Sequence, residues 1–155
     1  MDTEGEFTPA TPAAARERYE SVGPTAQVVV REIAKAMDMD ADEYERRVTS
    51  DVVETARDAL FASLLVVHVG TREEFEEWFD SSEFGEDDVR EAGSEHVDNV
   101  VWHAAPAADT VVAATFQDQR RAAVGTLRRQ AFGRVYRDLV SESSTGEGAD
   151  AGDGE

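Results

Sequence analysis

Two of the three histidines in the chain, His68 and His103, lie in segments whose residue pattern predicts β-strands. An imidazole paired with a carboxylate can bind a divalent metal ion or transfer protons. If the two strands are neighbours in a sheet, both imidazoles could converge on one site, where Glu74 or Asp98 would supply the carboxylate. His68, His103 and Glu74 are therefore the candidate catalytic or metal-binding residues.

The spacing of the histidines nevertheless favours a structural role. No His-x-His, His-x₃-His or His-Glu-x-x-His pattern places two ligands on one element. A single histidine on a strand is more often a hydrogen-bonded core residue. Ser94, His96 and Asp98 contain the groups of a catalytic triad, but they are too close together in one predicted loop to reach its geometry. We therefore predict no cofactor, and the enzyme hypothesis depends on His68 and His103.

The segment that would position His103 has the clearest pattern in the chain. Alternation of apolar residues predicts a strand over Val97–Ala104 and a second, buried on both sides, over Thr110–Phe116. The short connection contains a proline, which ends the pairing, so the two strands form a predicted hairpin. A long helix from Gln119 to Leu139 follows, with Asp118 as its predicted N-cap.

The segments that precede this hairpin predict mostly helices. Four helices are expected before a strand near Leu64–Val69. In the second helix, Ala26, Val29, Ile33 and Met37 form the predicted buried face. The order of elements predicts an α+β fold in which N-terminal helices are followed by β-α-β-β-α, with a small, mainly antiparallel sheet covered by helices.

The fifth predicted helix begins with a capping box, Thr71 with Glu74 three residues later. Val89 is assigned to a short extra strand in the poorly patterned segment that follows this helix. The two ends of the chain, residues 1–10 and 141–155, are predicted to be disordered acidic tails, because they have few apolar residues to bury. A single domain is therefore expected over residues 11–140.

A net charge of −19, from 34 acidic and 15 basic residues, dominates the composition. Such a charge destabilises a compact state by self-repulsion in dilute salt. Molar salt shortens the Debye length to about 3 Å and removes most of this penalty. Lys35 is the only lysine, and the acidic residues are spread along the whole chain. The composition therefore predicts a protein from a halophile.

Missing sequence features exclude several functional classes. The chain has no cysteine, which excludes disulfides, thiolate metal sites and a cysteine nucleophile. No segment approaches the ~18 apolar residues of a membrane span. The N-terminus lacks the basic and apolar regions of a secretory signal. We therefore expect a cytoplasmic protein with no membrane contact.

The predicted last helix concentrates positive charge. Its six arginines are Arg120, Arg121, Arg128, Arg129, Arg134 and Arg137. They could bind nucleic acid, a nucleotide phosphate or an acidic partner. Pairing with the chain's own acidic helix over Arg72–Phe79 requires no other molecule and is the favoured interpretation.

One flank of the same helix predicts self-association. Gly125, Phe132 and Tyr136 widen its apolar stripe beyond what contact with one sheet requires. Arg128 lies inside this apolar arc, so its charged group must extend to the solvent or find a carboxylate from the acidic helix or from a partner subunit. We therefore predict a homodimer whose interface contains Gly125, Arg128, Phe132 and Tyr136.

A winged-helix regulator is a third hypothesis. Residues Pro24–Val48 predict two helices across a short turn, and the later hairpin could be a wing. The second of these helices, ADEYERRV, carries Asp42, Glu43 and Glu45 against two arginines. Phosphate contact requires a positive surface, so nucleic acid is a disfavoured partner.

Four segments resemble a small uncharacterised haloarchaeal protein family: GPTAQVVVREIAKAM, LLVVHVGTREEFEEW, NVVWHAAP and LRRQAFGRVYRDL. The resemblance covers most of Ala14–Val140 and implies a class of organism but no activity. The leading hypothesis is therefore a non-enzymatic interaction or regulatory module of a halophilic archaeon, assembled as a homodimer. The alternative is a small enzyme or a ligand- or metal-binding protein that uses His68 and His103.

Overall fold

A computed structural model describes residues 1–141 of the chain. The strands are β1 (Asp2–Glu4), β2 (Val67–Thr71), β3 (Val89–Ala92), β4 (Asn99–Ala105) and β5 (Thr110–Phe116). The helices are α1 (Pro12–Ser21), α2 (Gly23–Ala36), α3 (Ala41–Arg47), α4 (Ser50–Ser63), α5 (Arg72–Asp80) and α6 (Arg120–Ala131). A π-helical turn, Phe132–Tyr136, continues α6.

The five strands form one sheet in the order β1-β2-β4-β5-β3. All neighbouring pairs are antiparallel except β3 with β5. The α+β class and the mainly antiparallel sheet are therefore confirmed. The short strand predicted at Val89 is also present, at the edge of the sheet.

Helices α1, α4 and α6 cover one face of the sheet, which we call the inner face. Its largest fully buried side chains are Phe61, Leu65, Val67, Val101, His103, Val112, Leu127 and Tyr136. Helix α5 covers the opposite, outer face, where Phe75, Val100, Trp102 and Val111 form a second buried cluster. Strands β4 and β5 therefore send alternate side chains into two separate cores.

The prediction of a disordered N-terminal tail was wrong. Residues Asp2–Glu4 pair with β2 as an edge strand, although all three side chains are exposed. Phe7 is only 8% exposed and packs on Phe61, with 5.3 Å between the ring centroids. Backbone hydrogen bonds do not depend on side-chain hydrophobicity, so composition does not reveal such a strand. The predicted C-terminal tail, apart from Ser141, lies outside the described residues.

Several predicted element ends differ from the structure. Strand β2 begins at Val67 because the chain at Leu64 still belongs to the end of α4. The N-cap of α6 is Gln119 rather than Asp118, and its side chain makes no capping hydrogen bond. The predicted N-cap of α1, Thr11, is confirmed, since its hydroxyl accepts a hydrogen bond from the Ala14 amide.

Helix α2 packs mainly on α4 and presents a narrower buried face than predicted. Its buried residues are Ala26, Val30 and Ala34. Ile33 and Met37, which were predicted to be buried, are each 54% exposed. Helix α4 covers only one stripe of α2, so the apolar side chains outside that stripe stay at the surface. Within residues 1–141, no helix has both the length and the apolar character needed to cross a membrane.

Candidate functional site

His103 lies in the inner core and is fully buried. Its Nδ1 is 2.6 Å from the carbonyl oxygen of Val66, and its Nε2 is 2.6 Å from the Tyr136 hydroxyl. A carbonyl can only accept, so the proton must be on Nδ1. Nε2 then accepts the hydrogen bond that the Tyr136 hydroxyl donates. Both ring nitrogens are therefore satisfied without any ligand.

Burial keeps this histidine–tyrosine pair neutral. Desolvation lowers the pKa of His103 to about 4, and the weaker effect of its hydrogen bond to Val66 acts in the opposite direction. Desolvation also raises the pKa of Tyr136 above its usual value. At neutral pH the pair is thus an uncharged, buried hydrogen bond between β4 and the π-helical turn. Its role in the described structure is to join these two elements.

His68 has a different environment on the outer face of the sheet. Its Nδ1 is 3.0 Å from the Thr3 hydroxyl on β1. Its ring lies 5.9 Å from the Trp78 ring and 5.5 Å from the Trp102 ring. Partial burial lowers the pKa of His68. The imidazole therefore links the edge strand to the outer aromatic cluster.

His68 and His103 do not converge on one site, as the alternative enzyme hypothesis required. Their strands are neighbours, but His68 is paired with Trp102, so His103 points to the other face. Glu74 is also committed elsewhere: it accepts from the Thr71 amide in the predicted capping box and is 2.7 Å from the N-terminal ammonium. The ammonium lowers the pKa of Glu74. The three candidate residues thus do not form one site.

The remaining titratable residues offer no metal site within residues 1–141. In this part of the chain, no three histidine, aspartate or glutamate residues are placed to hold a metal ion. His96 is exposed in the loop before β4, where its backbone amide donates to the Ser94 hydroxyl.

Of the four residues predicted to form a dimer interface, two are buried in the core and two line a surface cleft. Phe132 is 4% exposed and Tyr136 is 0% exposed, and both rings pack on Phe61. They are core residues, because α1 and α4 cover the side of α6 that the sheet leaves free. Gly125 and Arg128 remain at the surface, where they line an open cleft.

Within residues 1–141, the arginines of the predicted last helix form no ion pair with α5, contrary to the favoured interpretation. Arg120 binds two carboxylates of β1, with 2.9 Å from Nη1 to Asp2 and 3.1 Å from Nη2 to Glu4. Arg137 lies 3.9 Å from the carboxylate of Asp58 on α4. The edge strand and α4 therefore supply the carboxylates that were expected from α5.

Arg128 is held by a backbone oxygen rather than by a carboxylate. Its Nε donates a 3.0 Å hydrogen bond to the carbonyl of Leu65. This bond uses one of the five N–H groups of the guanidinium. Within residues 1–141, neither Arg128 nor Arg121 forms an ion pair.

These side chains surround an open cleft of about 630 Å³, which we call the α6 cleft. Its lining residues are Glu4, Arg120, Arg121, Val124, Gly125 and Arg128. Arg121, Gly125 and Arg128 follow one another at helical spacing, so they share one side of α6. Gly125 has no side chain to fill the space between the two arginines. The cleft is therefore a locally positive concavity in a chain of net charge −19.

The predicted wing of a winged-helix protein is not a free hairpin. Strands β4 and β5 lie inside the sheet, with β2 on one side and β3 on the other. A hairpin in this position is covered by helices on both faces and cannot extend into a DNA groove. The β4–β5 hairpin therefore cannot serve as the DNA-contacting wing that the winged-helix hypothesis requires.

The chain was compared with known protein families. Residues 6–137 match the family described as "Family of unknown function (DUF5809)". The chain belongs to this family. The matched range contains both histidines of the sheet and all the arginines of the α6 cleft, but it begins after Asp2–Glu4. Searches among curated proteins and among solved structures found no match.

Sequence reasoning missed the contribution of β1 to the α6 cleft in this DUF5809 chain. A weak signal was present, because Asp2 and Glu4 are two residues apart, which is the spacing of side chains on one face of a strand. Thr3, between them, points to the outer face and meets His68. Three residues are too few for this alternation to predict a strand.

Proposed function

We propose that the protein is a non-enzymatic interaction module that binds an anionic partner in the α6 cleft. The observation that carries this proposal is the pair Arg121 and Arg128, two cations that flank Gly125 and form no ion pair within residues 1–141. A guanidinium presents a planar fork that matches carboxylate and phosphate oxygens. The proposed ligand therefore carries one of these groups.

The surroundings of Arg128 support a binding role. Its Nε donates a hydrogen bond to the Leu65 carbonyl, which already restricts the side chain. Arg128 therefore loses less conformational entropy when its terminal nitrogens bind an anion. Val124 supplies an apolar wall, and the volume of the α6 cleft lies within the range of about 300–1,000 Å³ for small-molecule sites. At the edge of this cleft, the carboxylate of Glu4 already binds the guanidinium of Arg120. We propose the same contact, guanidinium with an anionic oxygen, between the ligand and Arg121 or Arg128.

Titration calorimetry tests this proposal with two probes, pyrophosphate and a short polyglutamate peptide. We expect one of them to bind the full chain, and Arg121→Gln to weaken the binding about tenfold, because a charge-assisted hydrogen bond is lost. Arg134→Gln is the matched control: it removes the same charge from an exposed residue that does not line the α6 cleft. Equal losses in both variants, or no binding of either probe, would contradict the proposal.

We propose further that the protein works in the concentrated salt of a halophilic archaeal cytoplasm. The net charge of −19 supports this, as does the exposure of most of its carboxylates. We expect the unfolding midpoint, followed by circular dichroism, to rise by several degrees between roughly 0.1 M and about 3 M KCl, because salt screens self-repulsion.

A charge-reduced variant is the control for this salt dependence. Glu17, Glu20, Glu45 and Glu77 are exposed, and none of them forms an ion pair within the described residues. Their replacement by glutamine should raise the midpoint in dilute salt and reduce its increase with KCl. A midpoint that is independent of KCl in the natural protein would refute the halophilic proposal.

The homodimer remains a prediction, but its interface cannot contain Phe132 and Tyr136. Those two side chains belong to the core of one subunit and cannot reach a partner. Light scattering after gel filtration gives the mass of the particle in solution. A monomeric mass at concentrations of tens of micromolar would remove the homodimer from the proposal.

A further inference from the structure

A second concave surface lies on the helices that precede β2 in the chain. It is an apolar groove of about 270 Å³, which we call the α2–α4 groove. Its apolar lining includes Val30, Ile33, Met37, Met39, Val48 and Val52. Helices α2 and α4 form its sides, and α3 lies between them in the chain. The two concavities share no lining residue.

This groove concentrates the exposed apolar side chains of the molecule. Five large hydrophobic residues are exposed in the described chain, and three of them, Ile33, Met37 and Val52, line the groove. Single exposed hydrophobic residues are ordinary, whereas a contiguous set around a concavity indicates a binding surface. Packing inside the subunit does not explain the set, since α2 already packs on α4 and buries Ala26, Val30 and Ala34 while Ile33 and Met37 stay exposed.

Charge around the α2–α4 groove limits what can bind there. Asp38, Asp40 and Asp51 are exposed and adjoin lining residues in the chain. Residues 32–52 contain seven acidic and three basic residues. The charged side chain in the lining, Arg47, is already 3.1 Å from Glu43. The groove therefore has an apolar floor and an acidic rim.

We propose that the α2–α4 groove binds an amphipathic helix of another protein, with basic residues beside its apolar stripe. An apolar groove between helices accepts the apolar face of a further helix through side chains at i, i+3, i+4 and i+7. Lysine or arginine beside that stripe would meet the acidic rim. A second copy of this chain would instead bring two acidic rims together, and like charges at an interface oppose association.

The test uses the full chain and a fluorescent peptide of about 18 residues, which is five helical turns. The peptide carries leucine at i, i+3, i+4 and i+7 spacing and lysine elsewhere; a comparison peptide replaces each lysine with glutamate. Fluorescence anisotropy measures binding to the natural protein and to Ile33→Glu, Val52→Glu and Val28→Glu. Val28 is 49% exposed on α2 but does not line the groove, so it is a matched control.

We expect the lysine peptide to bind and the glutamate peptide to bind at least tenfold more weakly. Ile33→Glu and Val52→Glu should each weaken lysine-peptide binding on the order of tenfold, and Val28→Glu should leave it unchanged. Each substitution adds a negative charge, which would strengthen any non-specific attraction of lysine. A selective loss therefore identifies the groove. Circular dichroism melts confirm that the exposed substitutions leave each variant folded.

Three results would overturn the proposal. The first is equal affinity of the lysine peptide for all four proteins, which would indicate general charge attraction. The second is no binding to the natural protein. The third is a dimer by light scattering that Ile33→Glu dissociates, because a second copy of the chain would then occupy the groove.

Discussion

Tyr136→Ala should lower the free energy of unfolding by about 4 kcal/mol, since it removes a fully buried ring and leaves a cavity beside Phe61. It also removes the donor that Nε2 of His103 requires. For a domain of this length, the midpoint of thermal unfolding should fall by roughly 10 °C. Urea denaturation in molar KCl, followed by circular dichroism, measures the change in free energy.

Tyr136→Phe is the matched control, because it keeps the ring and deletes the hydroxyl. It should cost about 1.5 kcal/mol, which is the penalty for a buried acceptor left without its donor. Comparison of the two variants separates the contribution of ring packing to the free energy of unfolding from that of the hydrogen bond to His103. A Tyr136→Ala protein of natural stability and lower oligomeric mass would instead place Tyr136 at an interface, as the sequence alone suggested.

Local patterns in the sequence predicted local structure well. The alternation in Val97–Ala104 and the doubly apolar Thr110–Phe116 correspond to β4 and β5, within two residues at each end. The Thr71–Glu74 capping box forms as expected at the start of α5. These features depend on neighbours within a few positions, and such neighbours are visible in a sequence.

The orientation of His68 relative to His103 could not be predicted in this way. Directly opposite residues on paired strands share a face, and the observed register places His68 opposite Trp102. A shift of one residue would have placed the two imidazoles side by side. The register depends on which face of each strand is buried, so the site hypothesis depended on contacts between segments that are far apart in the chain.

The burial of helix faces depends on long-range contacts in the same way. The wide apolar stripe of the last helix predicts a partner subunit, but α1 and α4 of the same chain cover Phe132 and Tyr136. The apolar stripe of α2 predicts a buried face, but packing on α4 leaves Ile33 and Met37 exposed. Periodicity shows how wide an apolar stripe is, whereas the number of neighbouring elements decides how much of it is covered.

Acidification should destabilise the protein through His103. Its pKa is about 4 in the folded chain and 6.5 for an ordinary histidine, so the unfolded chain binds the proton more readily. The stabilisation from a neutral His103 is complete above about pH 6.5 and is lost as the pH falls toward 4. Between pH 7.5 and 5 the loss should reach about 2 kcal/mol. His68, whose pKa burial also lowers, adds to the loss in the same direction.

His103→Gln provides the reference for this pH dependence, because its amide can donate and accept hydrogen bonds but does not titrate. Falling pH also neutralises carboxylates and reduces self-repulsion, and this effect is common to both proteins. The difference between their unfolding free energies, measured by urea denaturation at each pH in molar KCl, isolates the contribution of His103. We expect the natural protein to lose its advantage over His103→Gln steadily below pH 6.5. An advantage that stays constant down to pH 5 would mean that His103 can take up a proton in the folded protein, and the neutral pair with Tyr136 would then be the wrong description of this core.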